Sequence, residues 1–440
     1  MRLVGMISLG CPKNTVDSET MLGTLGTAGY EITSSLEEAE VIIINTCSFI
    51  KPAVEESIET IIECLQLKKR GSCRCLVVTG CLPQRYGKVL SQLIPEVDVW
   101  YGVNAPLKIV EGIEKAFQGE KVVAVSPVEE YHLNGNLPRL VLTPPYSAYL
   151  KVAEGCSHSC SFCIIPKLRG RLQSRTIESL VSEASQLAAS GARELVLVAQ
   201  DTGAYGKDLY GRPALHLLLK RLVGVPGIDW IRILYLHPCS LSPELIATIS
   251  EEPKICKYLD LPFQHASRKV LRKMGRKGSA QEYLDRIEEL RSLIPGIALR
   301  TTLMVGFPGE DEEDYQELLG FVEKARFDRL GVFPYYREEG TRSFSFPGQV
   351  SYLKKKQRCR QLLQLQREIS RRKNEELVGK QLSVLIESKV GEGVYLGRSY
   401  REAPEIDPKV IVAGNNLKVG EFVRVEITRA AAFDLMGVAI

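Results

Sequence analysis

The chain has 440 residues, 45% hydrophobic and 25% charged, which predicts two to four globular domains at roughly 100–200 residues each and excludes wholesale disorder, collagen and coiled coil. No apolar run approaches the ~18 residues of a membrane span, and the N-terminal stretch lacks the charged, apolar and cleavage regions of a secretory leader; the expected location is cytoplasmic, with no membrane partner. A formal net charge of +4 is too mild to mark a nucleic-acid binder by itself, and DNA is not an expected partner.

Residues 1–118 alternate between β-branched apolar runs (Leu3–Ser8, Val41–Ile44, Leu76–Val78) and helical patterns (Asp17–Gly29, Ala53–Leu67). Such alternation predicts a parallel-sheet α/β domain. Residues 119–143 carry turn-forming clusters (Ser126-Pro127, Asn134-Gly135-Asn136, Pro138) and are expected to form a linker. From Pro144 the alternation resumes, with strands expected at Ala148–Ala153, Glu194–Val198, Trp230–Leu236, Tyr258–Leu261, Ala298–Met304 and Arg329–Phe333, and helices such as Thr176–Ser190 and Ala280–Leu293. Six βα units predict a partial (β/α)6 barrel across 144–373; an open doubly wound sheet fits the same pattern. A basic helical stretch, 351–373, carries nine Lys/Arg and one Glu between Lys354 and Lys373. Residues 374–440 contain short alternating strands (Leu382–Glu387, Gly393–Gly397, Glu421–Thr428) and predict a small all-β domain.

Twelve cysteines in a large chain expected in a reducing compartment point to metal or redox chemistry rather than a disulfide framework. Cys156, Cys160 and Cys163 form C-x3-C-x2-C at the end of the first barrel strand. Three thiolates on one loop can hold three irons of a cubane cluster, which ordinarily takes four, and leave one iron open. Zinc is the alternative, but a structural zinc site wants four ligands, usually as two separated pairs. No second pair completes this set, and His158 lies too close along the chain.

Cys11, Cys47 and Cys81 each follow an apolar strand. The carboxyl ends of parallel strands share one edge, so three thiols placed there can converge. Gly10 and Gly80 would let the backbone approach a cluster closely. The alternative is three buried structural cysteines. Cys64, Cys73, Cys75, Cys239, Cys256 and Cys359 lack comparable geometry and read as unliganded thiols.

The Cys156 loop, with Phe162 before its last cysteine, resembles the cluster loop of radical S-adenosylmethionine (SAM) enzymes. In that family the open iron chelates SAM, and reduction splits SAM into methionine and a 5′-deoxyadenosyl radical. With a three-cysteine domain in front of it, the chain resembles the methylthiotransferases almost throughout. The motifs are Gly10-Cys11-Pro-Lys-Asn14, Asn45-Thr-Cys47, Gly80-Cys81 and Leu299-Arg-Thr-Thr-Leu-Met-Val-Gly-Phe-Pro-Gly309, and the last domain is similar to a TRAM module. Ser8-Leu-Gly-Cys-Pro-Lys-Asn-Thr-Val-Asp-Ser-Glu19, Gln200-Asp201-Thr202 and Ala403-Pro-Glu-Ile-Asp407 resemble the branch that modifies a ribosomal protein rather than transfer RNA.

The resemblance implies two 4Fe-4S clusters: a sulfur-carrying one on Cys11, Cys47 and Cys81, and a SAM-binding one on Cys156, Cys160 and Cys163. It implies a methylthio group added to the β-carbon of an aspartate in small-subunit ribosomal protein S-twelve, with SAM serving as methyl donor and radical source. An electron donor such as flavodoxin and a sulfur source are the further implied partners. Such a carbon has no useful acidity, so no side-chain acid or base is expected to carry the chemistry. Both clusters must then face one cavity between domains.

Residues 375–440 have a net charge of −2, from eight Lys/Arg and ten Asp/Glu. An RNA-presenting module would ordinarily be basic, so this module suits a basic protein. Glu402, Glu405 and Asp407 are candidates for docking it; a solvated acidic loop is the alternative, and the basic helix could touch ribosomal RNA or be a solvated face. Gln200, Arg232 and Arg300 are candidates for holding SAM, the arginines through a bidentate fork on its carboxylate, or for structural pairing across strands. His237 and His265 are expected in supporting positions. The rival functions are a transfer RNA adenosine methylthiotransferase, a non-catalytic iron–sulfur scaffold or electron carrier, and a zinc-binding interaction module.

Overall fold

The computed structural model describes residues 2–125, Val128 and 137–440. Its N-terminal sheet contains β1 (Leu3–Ser8), β2 (Glu31–Ile32), β3 (Val41–Thr46), β4 (Cys75–Gly80), β5 (Val99–Tyr101) and β6 (Val122–Ala124), all parallel, in the order β2-β1-β3-β4-β5-β6. β3 and β4 are buried along their whole length, as parallel strands covered on both faces must be. Val41 and Ile43 pack with Met21, Leu22 and Ile109 on one face. Ile42 and Ile44 pack with Ile61, Leu82 and Leu90 on the other. Within the expected linker, Val122–Ala124 forms the edge strand β6; Ser126-Pro127 and Asn134-Gly135-Asn136 lie outside the described residues.

The central sheet follows. Its strands are β7 (Ser147–Lys151), β10 (Glu194–Val198), β11 (Trp230–Ile233), β12 (Ile255–Asp260), β13 (Ala298–Val305) and β14 (Arg329–Pro334); β8 (Ala153–Glu154) and β9 (Gln173–Ser174) form a short antiparallel pair beside it. The six long strands are parallel and lie in strict chain order. A doubly wound sheet reverses direction at a switch point; this sheet does not, so the partial barrel is the observed solution.

Alternate residues divide its two faces. Leu195, Leu197, Ile231, Ile233 and Leu299 join the main core under the helices. Val196, Val198, Tyr258 and Ala298 pack instead with Leu385, Ala403 and Phe422 of the last domain. That domain is a closed barrel of β15 (Gln381–Gly391), β16 (Val394–Arg398), β17 (Val410–Ala413), β18 (Phe422–Ala430) and β19 (Leu435–Ala439). It covers the inner face of the central sheet, and buried ion pairs hold it there. Glu194 accepts from Arg232 at 2.8 Å and Arg398 at 2.6 Å. Arg329 reaches Glu402 at 2.9 Å, Arg300 reaches Asp407 at 2.6 Å and Arg401 reaches Asp328 at 2.5 Å.

Two expectations are corrected here. Arg232 is fully buried, with its donors on Glu194 and on the Tyr400 and Ser399 carbonyls; it joins domains and does not hold SAM. Glu402 and Asp407 are buried at the same interface and committed to Arg329 and to Arg300 and Tyr258, so neither reaches a substrate. The basic helix, Tyr352–Glu375, spends part of its charge internally, while Lys356, Arg360, Arg367 and Arg372 stay exposed. Arg358 meets Glu310 at 2.5 Å and Glu312 at 3.0 Å, Lys373 meets Asp328 at 3.0 Å, and Arg371 meets Glu375 at 2.6 Å.

Burial alone would raise the Glu194 carboxyl, but Arg398 and Arg232 outweigh it and hold it at about 2. Replacing it leaves the buried Arg232 guanidinium without its anion and Arg398 with Glu387 alone, at 2.7 Å. Glu194→Ala should therefore cost about 3–5 kcal/mol of stability, read as a lower thermal midpoint and greater protease sensitivity at the junction with the last domain.

Candidate functional site

Three strand ends of the N-terminal sheet carry Cys11, Cys47 and Cys81. β1, β3 and β4 are neighbours, and their register pairs Ser8 with Asn45 and Thr46 with Gly80. The next residues after β3 and β4 are thus Cys47 and Cys81, at the same edge of the sheet. Gly10 and Gly80 both hold φ +95°, a left-handed conformation that favours glycine. A Cβ at Gly10 would meet Cys47 Cβ at 2.7 Å.

The flanking motif residues lock this edge. Asn14 Nδ2 donates to the Leu9 carbonyl at 2.9 Å and the Thr46 carbonyl at 3.0 Å, and Asn45 Nδ2 donates to the Asn14 carbonyl at 2.9 Å. Ser48 Oγ donates to the Cys81 carbonyl, and Ser57 Oγ to the Cys47 carbonyl, both at 2.8 Å.

Cys156, Cys160 and Cys163 lie on the loop after β8. The Cys156 amide donates to the Gly170 carbonyl at 3.0 Å, and Ser161 is bound through its amide to the Met274 carbonyl at 2.8 Å. His158 Nε2 lies 2.6 Å from Asp201 Oδ2, and its ring stacks on His237 at 4.0 Å. Asp201 also accepts from Ser240 Oγ at 2.7 Å and the His237 amide at 3.1 Å. The Gln200-Asp201-Thr202 motif therefore braces the cysteine loop. His237 does stand in a supporting position; burial and the nearby Arg276 push it down to about 3, so it is a neutral ring. His265 is fully buried, its Nδ1 accepting from the Ser267 amide.

Both triads open on one cavity of about 440 Å³ between the domains, lined by all six cysteines. Gln200 and Arg300 also line it, while Arg232 does not. Gln200 Nε2 donates to Glu154 Oε1 at 2.5 Å, and its Oε1 is buried without a partner among the described residues. The mouth is apolar, with exposed Phe49, Phe333 and Ile406 supplied by three different domains. Glu405, next to Ile406, is the one exposed carboxylate of the three docking candidates.

The thiols fit a cluster better than a single ion. Among the described residues, no group of three or more His, Cys, Asp or Glu is placed to hold one metal ion. A cubane asks for thiols spread over separate irons. Burial and Cys81 push Cys47 up to about 12, and burial pushes Cys163 up to about 12 and Cys156 to about 11. Thiolates in so apolar a setting need cations beside them, which cluster irons supply.

Residues that sequence reasoning gave no role join the two triads. Arg169, at the end of helix Ile165–Arg169, is 4% exposed. It donates to Cys81 Sγ at 3.4 Å, Asp17 at 2.7 Å, Glu154 at 3.1 Å and Asn14 Oδ1 at 2.5 Å. Lys151 bonds the same Asp17 and Glu154. Two cations and two carboxylates thus meet where the domains join. Asp17 stands in the quoted motif Thr15-Val-Asp-Ser-Glu19, but nothing local marks its partners, which lie 134 and 152 positions away.

The chain matches three families in order: Uncharacterized protein family UPF0004 over residues 4–102, the Radical SAM superfamily over 150–322, and the TRAM domain over 378–440. It is 49% identical over 437 residues to a ribosomal protein uS12 methylthiotransferase RimO of Pelotomaculum thermopropionicum, covering 99% of this chain and 98% of the relative. The corresponding protein of Geobacter sulfurreducens is 48% identical over 436 residues, at 99% and 98% coverage. Among solved structures, the radical SAM methyltransferase TsrM of Kitasatospora setae superposes with TM-score 0.56 at 14% identity, covering 89% of this chain and 79% of that one, a likeness of fold. A radical SAM domain implies one 4Fe-4S cluster and SAM.

Burial by itself would raise Glu154, but Arg169 and Lys151 hold it at about 2, below its ordinary 4.5. A depressed carboxylate stabilises the fold fully above its unfolded value, and that share is lost as pH falls through the folded one. Acid titration followed by circular dichroism should show interface stability declining between pH 4.5 and about 2. Glu154→Gln should remove that acid-dependent share and lower stability at neutral pH.

Proposed function

The chain belongs to the family of ribosomal protein uS12 methylthiotransferases named RimO, and from that premise we propose that it adds a methylthio group to the β-carbon of an aspartate in uS12. The observation that carries the reading is the convergence of two cysteine triads, from two domains, on one cavity. A single cluster would need one triad; a C–H bond replaced by C–S–CH3 needs both a radical source and a sulfur carrier. When bound, SAM and two 4Fe-4S clusters supply hydrogen-atom abstraction and a transferable sulfur, chemistry outside the reach of side chains.

Cys156, Cys160 and Cys163 hold the SAM-binding cluster, and Cys11, Cys47 and Cys81 hold the sulfur-carrying one. Gln200, which lines this cavity, orients SAM. Arg300 borders the same space, although its nearest anion is Asp407 at 2.6 Å. The apolar mouth excludes water from the reacting carbon, and Glu405 beside it attracts a basic protein. The reaction consumes electrons and sulfur, so an electron donor such as flavodoxin and a sulfur source complete the set of partners.

Anaerobic reconstitution of Cys47→Ala and Cys160→Ala separately should give about half the iron of the unaltered chain, each variant losing a different cluster signature in electron paramagnetic resonance. Small ribosomal subunits from cells with and without the gene should differ by about 46 Da on uS12, the mass of CH3S replacing H. An unchanged uS12 with a transfer RNA adenosine lacking its methylthio group would assign the same chemistry to another substrate.

A further inference from the structure

Among the described residues, the arginines lining the cavity already have oxygen partners. Arg169 has Asp17 and Glu154, Arg300 has Asp407 at 2.6 Å, and Arg276 has the Pro262 carbonyl at 2.6 Å. Lys13 differs. It is 9% exposed and lines the cavity, and its Nζ lies 3.7 Å from the centroid of the Tyr235 ring. Tyr235 holds φ +60°, an uncommon conformation for an aromatic residue. That conformation is the one in which the ring meets the ammonium. A ring face offsets only part of the cost of taking an ammonium out of water. It also leaves donors of the ammonium without acceptors, since an ammonium carries three. A cation nine-tenths buried, short of acceptors and facing a cavity is a receptor for an anion.

We propose that Lys13 receives the side-chain carboxylate of the aspartate being modified, an inference that rests on the uS12 reading above. Lys13 stands two residues from Cys11 on the first turn of helix Pro12–Thr27, while Tyr235 follows β11 of the central domain. The anchored carboxylate therefore sits where the domains meet and both triads face. In aspartate the carboxylate carbon is bonded directly to the β-carbon, so fixing one fixes the other within a single bond. A compact ammonium also tolerates the rotation that follows when a hydrogen on that carbon gives way to sulfur. An amide in place of the acid leaves the buried ammonium without its anion, so Lys13 selects acid over amide.

The test is equilibrium binding to the cluster-loaded protein, purified anaerobically and saturated with SAM. Two uS12 fragments are used, differing only in Asp or Asn at the modified position, against the unaltered chain and Lys13→Met. Methionine keeps an unbranched apolar stem against Tyr235, and removing the ammonium breaks no hydrogen bond among the described residues. The unaltered chain should prefer the Asp fragment by about ten- to hundred-fold, the usual worth of a charge-assisted pair. Lys13→Met should lose that preference while binding the Asn fragment at least as tightly. That retained Asn affinity shows that the variant is folded. Retention of the preference by Lys13→Met, or its absence from the unaltered chain, overturns the assignment while leaving uS12 as substrate. A loss of SAM affinity with the Asp preference intact assigns the lysine to the SAM carboxylate and overturns it too. If neither fragment binds and a transfer RNA adenosine is modified instead, the uS12 reading fails and the proposal falls with it.

Discussion

The structure depends on one buried cluster of charge, in which Arg169 and Lys151 of the central domain close on Asp17 of the N-terminal domain and on Glu154. Each of these ions would be costly to bury alone, and each is tolerable only while the others are in place. The cluster is therefore a condition on geometry. It is satisfied when helix Pro12–Thr27, which begins just after Cys11, lies against the helix that ends the second cysteine loop. Arg169 carries the condition to the chemistry itself, because the same guanidinium reaches Cys81. Docking of the domains and juxtaposition of the triads are thus a single event.

The last domain is fastened by the same means on a different face. Its apolar residues fill the inner side of the central sheet, and its charges enter in complementary pairs: Arg398 over Glu194, Glu402 over Arg329, Asp407 over Arg300. Two of the three carboxylates of residues 402–407, Glu402 and Asp407, are consumed there. What remains for a partner is Glu405 and the apolar Ile406 at the rim.

Much of this architecture was legible in the sequence. Leu3–Ser8, Glu194–Val198 and helix Ala280–Leu293 occupy the residues that their patterns indicated, because strands buried on both faces and amphipathic helices carry strong periodicities. Apart from the five-residue β19, the missed strands are short or follow a proline closely. β2 has two residues, β5 and β6 three each, and β17 begins two residues after Pro408. The thiols were legible because each sits directly after an apolar strand or within one compact loop. The charged residues were not. Arg232 finds its acceptors 38 and 168 positions away, and Arg169 finds one 152 away. A single sequence offers no signal of such pairings, and an arginine at a strand end reads alike whether it faces a ligand or a neighbouring domain.

Because a folded barrel fills the inner face of the central sheet, the cavity is approached past a rim to which each of three domains contributes one hydrophobic side chain. Such an entrance discriminates by protrusion. A residue on a flat or helical surface stands too close to its own backbone to enter. A residue at the tip of a tight loop can be offered whole, with the flanking chain, at roughly 3.3–3.6 Å per residue, bridging from rim to interior. Shape at this entrance therefore acts before any chemical selection, favouring a protruding tip of chain over a flat surface.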